Sequence, residues 1–314
     1  MSDVIYLNKL AIRVAIEATY GNIVVPGAND AIEVSNVQLT PLDGTEAERK
    51  IARPFFGASS KTQVTQSRKL TFEVGFAGVK NVGDLPGYAT LMRACATRIV
   101  NTPAPDPDAG TLIQPITDDI ESVTIFTVID RQLYKMVGTR GTVKATVNNG
   151  GIPVYQFEFV SSYEPIEELP AMPQVSYASF EKTLPVNKAN TTLLVNGIAV
   201  IGTAFELDFG NDVSHENAMN YESTDIGDRN STGSVTFFNT PIAVANWVDL
   251  AAQSAIVPII LRHGQAATNT VGVTIPRAEL GKPSFGEQKG KQTITIPYQA
   301  LPSDLGNDEW EIAV

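Results

Sequence analysis

The chain has 314 residues, 43% hydrophobic and 18% charged, room for two domains of ordinary size that each bury a core. Its net charge is −11, and both parts share it: 15 Lys+Arg stand against 19 Asp+Glu in residues 1–180, and 8 against 15 in residues 181–314. That balance excludes a protein that holds nucleic acid by clustered cations; the single cysteine, Cys95, excludes an intrachain disulfide and a cysteine metal cluster.

The opening, Val4 to Gly21, mixes apolar and charged residues without a period and reads as an extended arm that pairs with a neighbour. Ile32 to Leu42 reads as a strand ended by Pro41, followed by a long polar loop from Gly44 to Ser67. Leu70, Phe72, Val74 and Phe76 then alternate with polar residues, the mark of a half-buried strand. Asp84 and Pro86 read as the start of a helix with Tyr88, Leu91, Met92 and Cys95 on one face. Asn101 to Pro115, with Pro103, Pro105 and Pro107, reads as an exposed loop. Strands resume at Glu121–Ile129, at Gly141–Val147 and, after Asn148-Asn149-Gly150-Gly151, at Tyr155–Val160.

Tyr163 to Pro173, rich in proline and glutamate, reads as an extended linker. Beyond it the order repeats. A strand at Leu193–Val195, an Asn196-Gly197 turn and a strand at Ala199–Phe209 precede a second long polar loop, Asn211 to Asp228. Next come the strand Ser234–Phe238, a helix with Val244, Trp247, Val248 and Ala251 on one face, and strands near Ile256–Arg262, Val271–Ile275 and Gln292–Gln299. A β–helix–β pattern used twice points to a unit that packs against copies of itself.

Catalytic constellations are missing. His215 and His263 have no metal-ligand spacing to another His or Cys. Asp208-Phe209-Gly210 lacks the other kinase motifs and reads as a strand end. Asp106-Pro107-Asp108-Ala109-Gly110 lacks the later ligands of a calcium loop. The pairs Asp118-Asp119 and Glu167-Glu168 read as solvated faces. No cofactor, metal or enzymatic activity is expected. No apolar run reaches the ~18 to 20 residues of a membrane span, and Met1-Ser2-Asp3-Val4 carries no export signal.

Taken in order, Glu17-Ala18-Thr19-Tyr20-Gly21, the long loop from Gly44 to Ser67, the strand Leu70 to Gly78, the segment Leu85-Pro86 to Cys95, and the hairpin from Gly141-Thr142-Val143 to Phe157-Glu158-Phe159 resemble the major tail (tail-tube) proteins of long-tailed bacteriophages. The likeness covers the first half by motif and the second by pattern. It implies a mainly β chain of two tandem tail-tube-like β-sandwich modules, each with one flanking α-helix. Residues 1–165 would form the first module with its N-terminal arm, 166–174 the Pro/Glu linker and 175–314 the second module. It further implies a structural virion protein whose rings stack into a tail tube for genome delivery. The lumen would pass the tape-measure protein and DNA without sequence recognition, and the tube would meet tail terminator and distal tail proteins. The location would be the virion tail, and the host cytoplasm during assembly. Three two-module chains would supply six module positions per ring; six chains are the alternative.

An acidic lumen offers phosphates no counter-charge. The two long loops carry opposite charge, with Arg49, Lys50, Arg53 and Lys61 on the first and Asp212, Glu216, Glu222 and Asp225 on the second; these are the candidate inter-ring or inter-subunit contacts. The rival reading is a tandem β-sandwich binding module for carbohydrate or a surface receptor, which would gather exposed aromatics in a groove.

Overall fold

The computed structural model describes residues 4–106, 109–265 and 268–314. In chain order the first part runs β1 Leu10–Ile16, β2 Ala31–Ile32, β3 Ser35–Asp43, β4 Glu46–Glu48, β5 Lys61–Gln63, β6 Ser67–Gly75, α1 Ala89–Arg93, β7 Thr97–Thr102, β8 Gly110–Pro115, β9 Val123–Ile129, β10 Gln132–Asn148 and β11 Val154–Tyr163. After β12 Glu167–Glu168 come β13 Thr191–Val195, β14 Ile198–Ala199, β15 Gly202–Asp208, β16 Asn211–Ala218, β17 Tyr221–Arg229 and β18 Thr232–Phe238. The chain ends with α2 Trp247–Ala252, β19 Ile256–Gly264, β20 Thr270–Leu280, β21 Ser284–Gln288, β22 Lys291–Ala300 and β23 Glu311–Ala313. The protein is mainly β, and its strand pairs are antiparallel.

Eight strands form the sheet that organises the molecule. Their order is β3-β6-β11-β10-β15-β18-β22-β21, set by successive antiparallel ladders. One face is apolar: Leu70, Phe72 and Val74 of β6, Phe157 and Phe159 of β11, and Phe205 and Leu207 of β15 are buried. Alternation at a period of two puts Thr, Ser, Gln and charged residues on the other face. The remaining strands pack over the apolar face, and the buried cluster is continuous from Ile12 to Ile312.

The long strand β10 belongs to two sheets. Its first part pairs with β9, its second with β15, and β11 follows it along the other edge. Both ladders shift register between Met136 and Arg140, a bulge that bends the strand from one layer into the next. The buried Glu17 carboxylate fixes this corner: it accepts from Gly138 N at 2.9 Å, Gly21 N at 2.9 Å, Ser122 Oγ at 2.6 Å and Thr124 Oγ1 at 2.8 Å. Although all these strands share one hydrogen-bonded network, its ladders branch at β10, β20 and β22 instead of closing a ring. Among the described residues β3 pairs only with β6, and β21 only with β22.

Several expectations change. The N-terminal segment is not a free arm, because β1 pairs with β9 of its own chain over seven residues; the segment was hard to read because the strand is buried at irregular positions. Pro41 lies inside β3 rather than ending it, as an edge strand permits. Both long loops are β-hairpins, β4/β5 and β16/β17; their polar sequences lack alternation because neither lies over the core along its whole length. Strands β7 and β8 occupy most of Asn101 to Pro115, since Thr111, Ile113 and Pro115 alternate inward. Pro107 and Asp108 of the Asp106-Pro107-Asp108-Ala109-Gly110 fragment lie outside the described residues.

The helices are single turns. α1 begins at Ala89, with Tyr88 before it and no side-chain cap; Asp84 instead accepts from Asn81 Nδ2 at 2.7 Å. Tyr88, Leu91, Met92 and Cys95 are buried as expected, and burial pushes the Cys95 thiol pKa up. In α2, Asn246 caps the backbone N–H of Asp249, and Trp247 alone is buried, edge-on to Phe237 at 5.2 Å, with its indole N–H donating to Thr240 Oγ1 at 2.8 Å. Val244 and Val248 are 54% and 43% exposed. A six-residue helix is too short to turn that whole stripe onto the sheet. Trp247→Ala is expected to cost about 3 to 5 kcal/mol, read as a shift of the denaturant midpoint; a change below about 1 kcal/mol would place the indole outside the core.

Arg68 is fully buried, and its hydrogen bonds go to backbone carbonyls rather than to a carboxylate. Its guanidinium donates to the carbonyls of Pro41, Lys135 and Glu164, and lies 5.5 Å and 5.1 Å from the rings of Tyr134 and Tyr163. One planar fork thus ties β3, β10 and the chain after β11 together. Arg68→Met leaves three carbonyls without this donor and is expected to lose at least about 3 kcal/mol, and Arg68→Lys to recover only part of it. Equal stability of wild type and Arg68→Met in urea would contradict this role.

A candidate assembly interface

The centre of the eight-stranded sheet is a junction between distant parts of the chain. β10 meets β15 with Lys144 opposite Asp208, Ala145 opposite Leu207, Thr146 opposite Glu206, Val147 opposite Phe205 and Asn148 opposite Ala204. On its apolar face, Ala145, Val147, Phe205 and Leu207 are all buried, and burying a side chain of Phe or Leu size stabilises by about 1.5 to 3 kcal/mol. On its polar face the Lys144 ammonium lies 3.0 Å from Glu206, a half-exposed pair worth at most about 1 kcal/mol. Apolar packing therefore holds the junction, and the ion pair marks its register.

The two sides of this junction are built alike. On one side the order is β3-β6-β11-β10, and on the other β15-β18-β22-β21. In each, the first and second strands are separated by a hairpin that leaves the sheet at a positive-φ glycine, Gly44 or Gly210. A Cβ at Gly44 would stand 2.1 Å from Thr65 O, and one at Gly210 would stand 2.0 Å from Asn230 O. The same close crossing of hairpin base strands occurs twice, and only glycine fits it.

The outer edges of the sheet are open. All of β21 is exposed, including Phe285 at 57%. Within its hairpin Phe285 sits opposite Ile294 as Val143 sits opposite Phe157. Val143 is 1% exposed, and its carbonyl accepts from Phe209 N at 3.0 Å. The difference between the two residues is the strand that covers one and not the other. At the far edge β3 is mostly exposed, with register shifts near Ser35 and Asp43 and with Pro41 supplying no N–H, so it offers a shorter ladder than β15 does.

The polar face is acidic and carries no tryptophan. Lys69, Lys144 and Lys291 stand there against Asp43, Glu73, Glu158, Glu206 and Asp208. Glu73 accepts from Asn36 Nδ2 and Gln156 Nε2, so even the charged positions are tied into cross-strand pairs. Trp247 and Trp310 are both buried, Trp310 against Phe209 at a ring distance of 3.9 Å. Neither is a platform for stacking a sugar.

The predicted loop residues separate into two groups. Arg49, Lys50 and Arg53 are exposed in the β4/β5 hairpin, while Lys61 lies 3.1 Å from Glu46 across that hairpin. Arg68 is withdrawn from the surface, so residues 45–67 carry four cations against two acids. In the second hairpin Asp212 and Glu216 are exposed on β16, and Glu222 lies 3.4 Å from His215. Asp225 is not free: its carboxylate is 2.8 Å from Arg140 Nη1 and also accepts from Ser223 Oγ and the Tyr221 hydroxyl. It anchors the second hairpin to the first part of its own chain. Sequence reasoning missed this contact because the partner, Arg140, sits in the bulge of β10, which nothing in the local pattern marks.

Other candidate groups are structural. His263 is buried, its Nδ1 2.8 Å from Thr191 Oγ1 and its Nε2 3.1 Å from Leu184 O, and desolvation lowers its pKa. Phe209 of Asp208-Phe209-Gly210 is a core residue at the end of β15. Among the described residues no group of His, Cys, Asp and Glu is arranged to hold a metal ion, and no helix is long and apolar enough to cross a membrane. Compared with models of protein families and with characterised proteins, the sequence matches none.

Proposed function

We propose that this chain is a structural subunit that adds head to tail to copies of itself, forming rings that stack into a phage-type tail tube, a conduit for genome delivery. The observation that carries the reading is the eight-stranded sheet, in which a β10–β15 junction joins two similarly ordered four-strand groups while β21 and β3 remain as open edges. A strand edge with unpaired N–H and C=O groups templates another strand, and an unlike pair of edges makes a heterologous contact, which gives a ring where the rotation closes and an open filament where it does not. In this reading residues 1–165 and 175–314 are tandem modules. The junction inside each chain is the pattern for the junction between chains, and three chains supply six modules. The stretch 166–174 is then a strapped connection, since β12 pairs with Gln132 and Leu133 of β10.

The acidic polar face supports the same reading, as a lumen wall that passes DNA and tape-measure protein without holding either. Tail terminator and distal tail proteins would cap the stack. A carbohydrate- or receptor-binding module is the weaker reading, since both tryptophans are buried. An enzyme is weaker still, without a cluster of acid, base and nucleophile in the sites described.

If β21 copies β10 and β3 copies β15, Gln288 lies opposite Thr40 of the next chain, as Thr146 lies opposite Glu206. The Thr40→Cys/Gln288→Cys double variant is expected to give intermolecular disulfides that ladder on a non-reducing gel, with negative-stain images of rings or tubes averaging to three chains per layer. A chain that stays monomeric by light scattering at high concentration would sink the proposal; six full chains per layer would sink the threefold count.

A further inference from the structure

Resting on that ring, we infer that the β4/β5 hairpin of each chain docks on a neighbouring copy, on the surface made by the end of α2 and the β20–β21 connection. The within-chain precedent is the second hairpin. Just after Gly210, Asn211 donates from Nδ2 to Cys95 O at 2.9 Å and to Gly141 O at 3.1 Å, and its backbone N–H reaches Thr142 Oγ1 at 3.3 Å. β16/β17 thus lies over the end of α1 and the part of β10 just past its bulge. Arg140 then closes on Asp225.

Each part of that landing site has a counterpart in the second half, and there it is bare. Cys95 N donates to Met92 O at the end of α1, and Ser254 N donates to Ala251 O at the end of α2. Thr142 faces Glu158 in its hairpin, and Ser284 faces Thr295 in the other. Cys95 and Gly141 are buried, whereas Ser254 and Ser284 are exposed and Pro283, at the place of Gly141, is half-buried.

The first hairpin is the matching unsatisfied part. Thr45 follows Gly44 as Asn211 follows Gly210. Ile51, Phe55, Phe56 and Val64 are 57%, 65%, 107% and 58% exposed. Such a run of large apolar groups on one projecting hairpin marks a contact surface. Glu279 borders the bare site, Lys282 lies within it, and Arg49, Lys50 and Arg53 would bring the opposite charge to Glu279. The occupant is a second copy of this chain because the edge pairing of β21 with β3 delivers the neighbour's Gly44 to this place, as β15 delivers Gly210 within the chain.

The test is a Thr45→Cys/Ser284→Cys double variant of the full chain, assembled beside the Thr40→Cys/Gln288→Cys edge variant. An intermolecular disulfide in assembled material, absent from dilute monomer, is expected. Assemblies in which the edge variant cross-links and the hairpin variant does not would overturn the docking while leaving the ring intact. An intrachain bridge between the two introduced thiols of the hairpin variant in monomer would overturn it too, and failure of the wild type to assemble would remove both proposals together. Hydrogen exchange on the wild type guards against a variant that fails to assemble: amides of residues 45–64 and 281–284 should slow together on assembly, and unchanged exchange at either segment overturns the inference. Reversing Arg49, Lys50 and Arg53 to Glu should slow assembly several-fold at low salt, with the difference shrinking at high salt; equal rates at both would remove the electrostatic part.

Discussion

The bend in β10 governs the rest of the molecule. One strand of 17 residues has to pair with β9 in one layer and with β15 in the other, and a regular strand cannot lie in both. The register shift near Gly138 supplies the turn, and Glu17 collects four donors there. Its two oxygens thereby tie the chain after β1, the start of β9 and the bulge of β10 into one corner. From that corner follow the place of β11, the landing site of the second hairpin beside Arg140, and the open direction in which the sheet continues.

The continuity of the core has a related cause. β23 pairs with β20 on one side and with β8 on the other, and Trp310 just before it packs on Phe209. The last residues of the chain therefore bridge parts that the sequence keeps far apart. Two groups of four strands that share a junction and one apolar cluster will unfold together more readily than separately.

Individual strands were legible in the sequence wherever one face is buried and the other wet. Leu70 to Val74 and Thr293 to Tyr298 alternate cleanly and lie where alternation puts them. The Asn196-Gly197 turn carries positive φ at both residues, as its composition demands. Less legible were β1 and the two hairpins, because strands buried at irregular positions, or solvated on both faces, have no period to read. The stripe of α2 misled because spacing gives direction only over the length of a helix, and this one stops after Ala252. For the candidate interface, the charges of the hairpins were visible in the residues, but their unequal fates were not. Asp225 is engaged by Arg140, and Arg68 by three carbonyls, through contacts that lie 27 to 96 residues apart in sequence.

The covalent connection across β10 and β15 separates two kinds of joining that would otherwise compete. Inside a chain the strands meet at the effective concentration set by a tether, in the millimolar range for closely linked partners, and so this joint forms whatever the protein concentration. In the proposed ring the same kind of edge pairing between chains would be bimolecular and would answer to supply. A ring built from such units would alternate pre-made and concentration-dependent seams, which halves the number of seams formed between separate molecules and fixes the sequence of its parts. In that proposed ring the unlike edges would also forbid a chain from being inserted backwards, so orientation would be inherited from the polypeptide itself rather than selected at each addition.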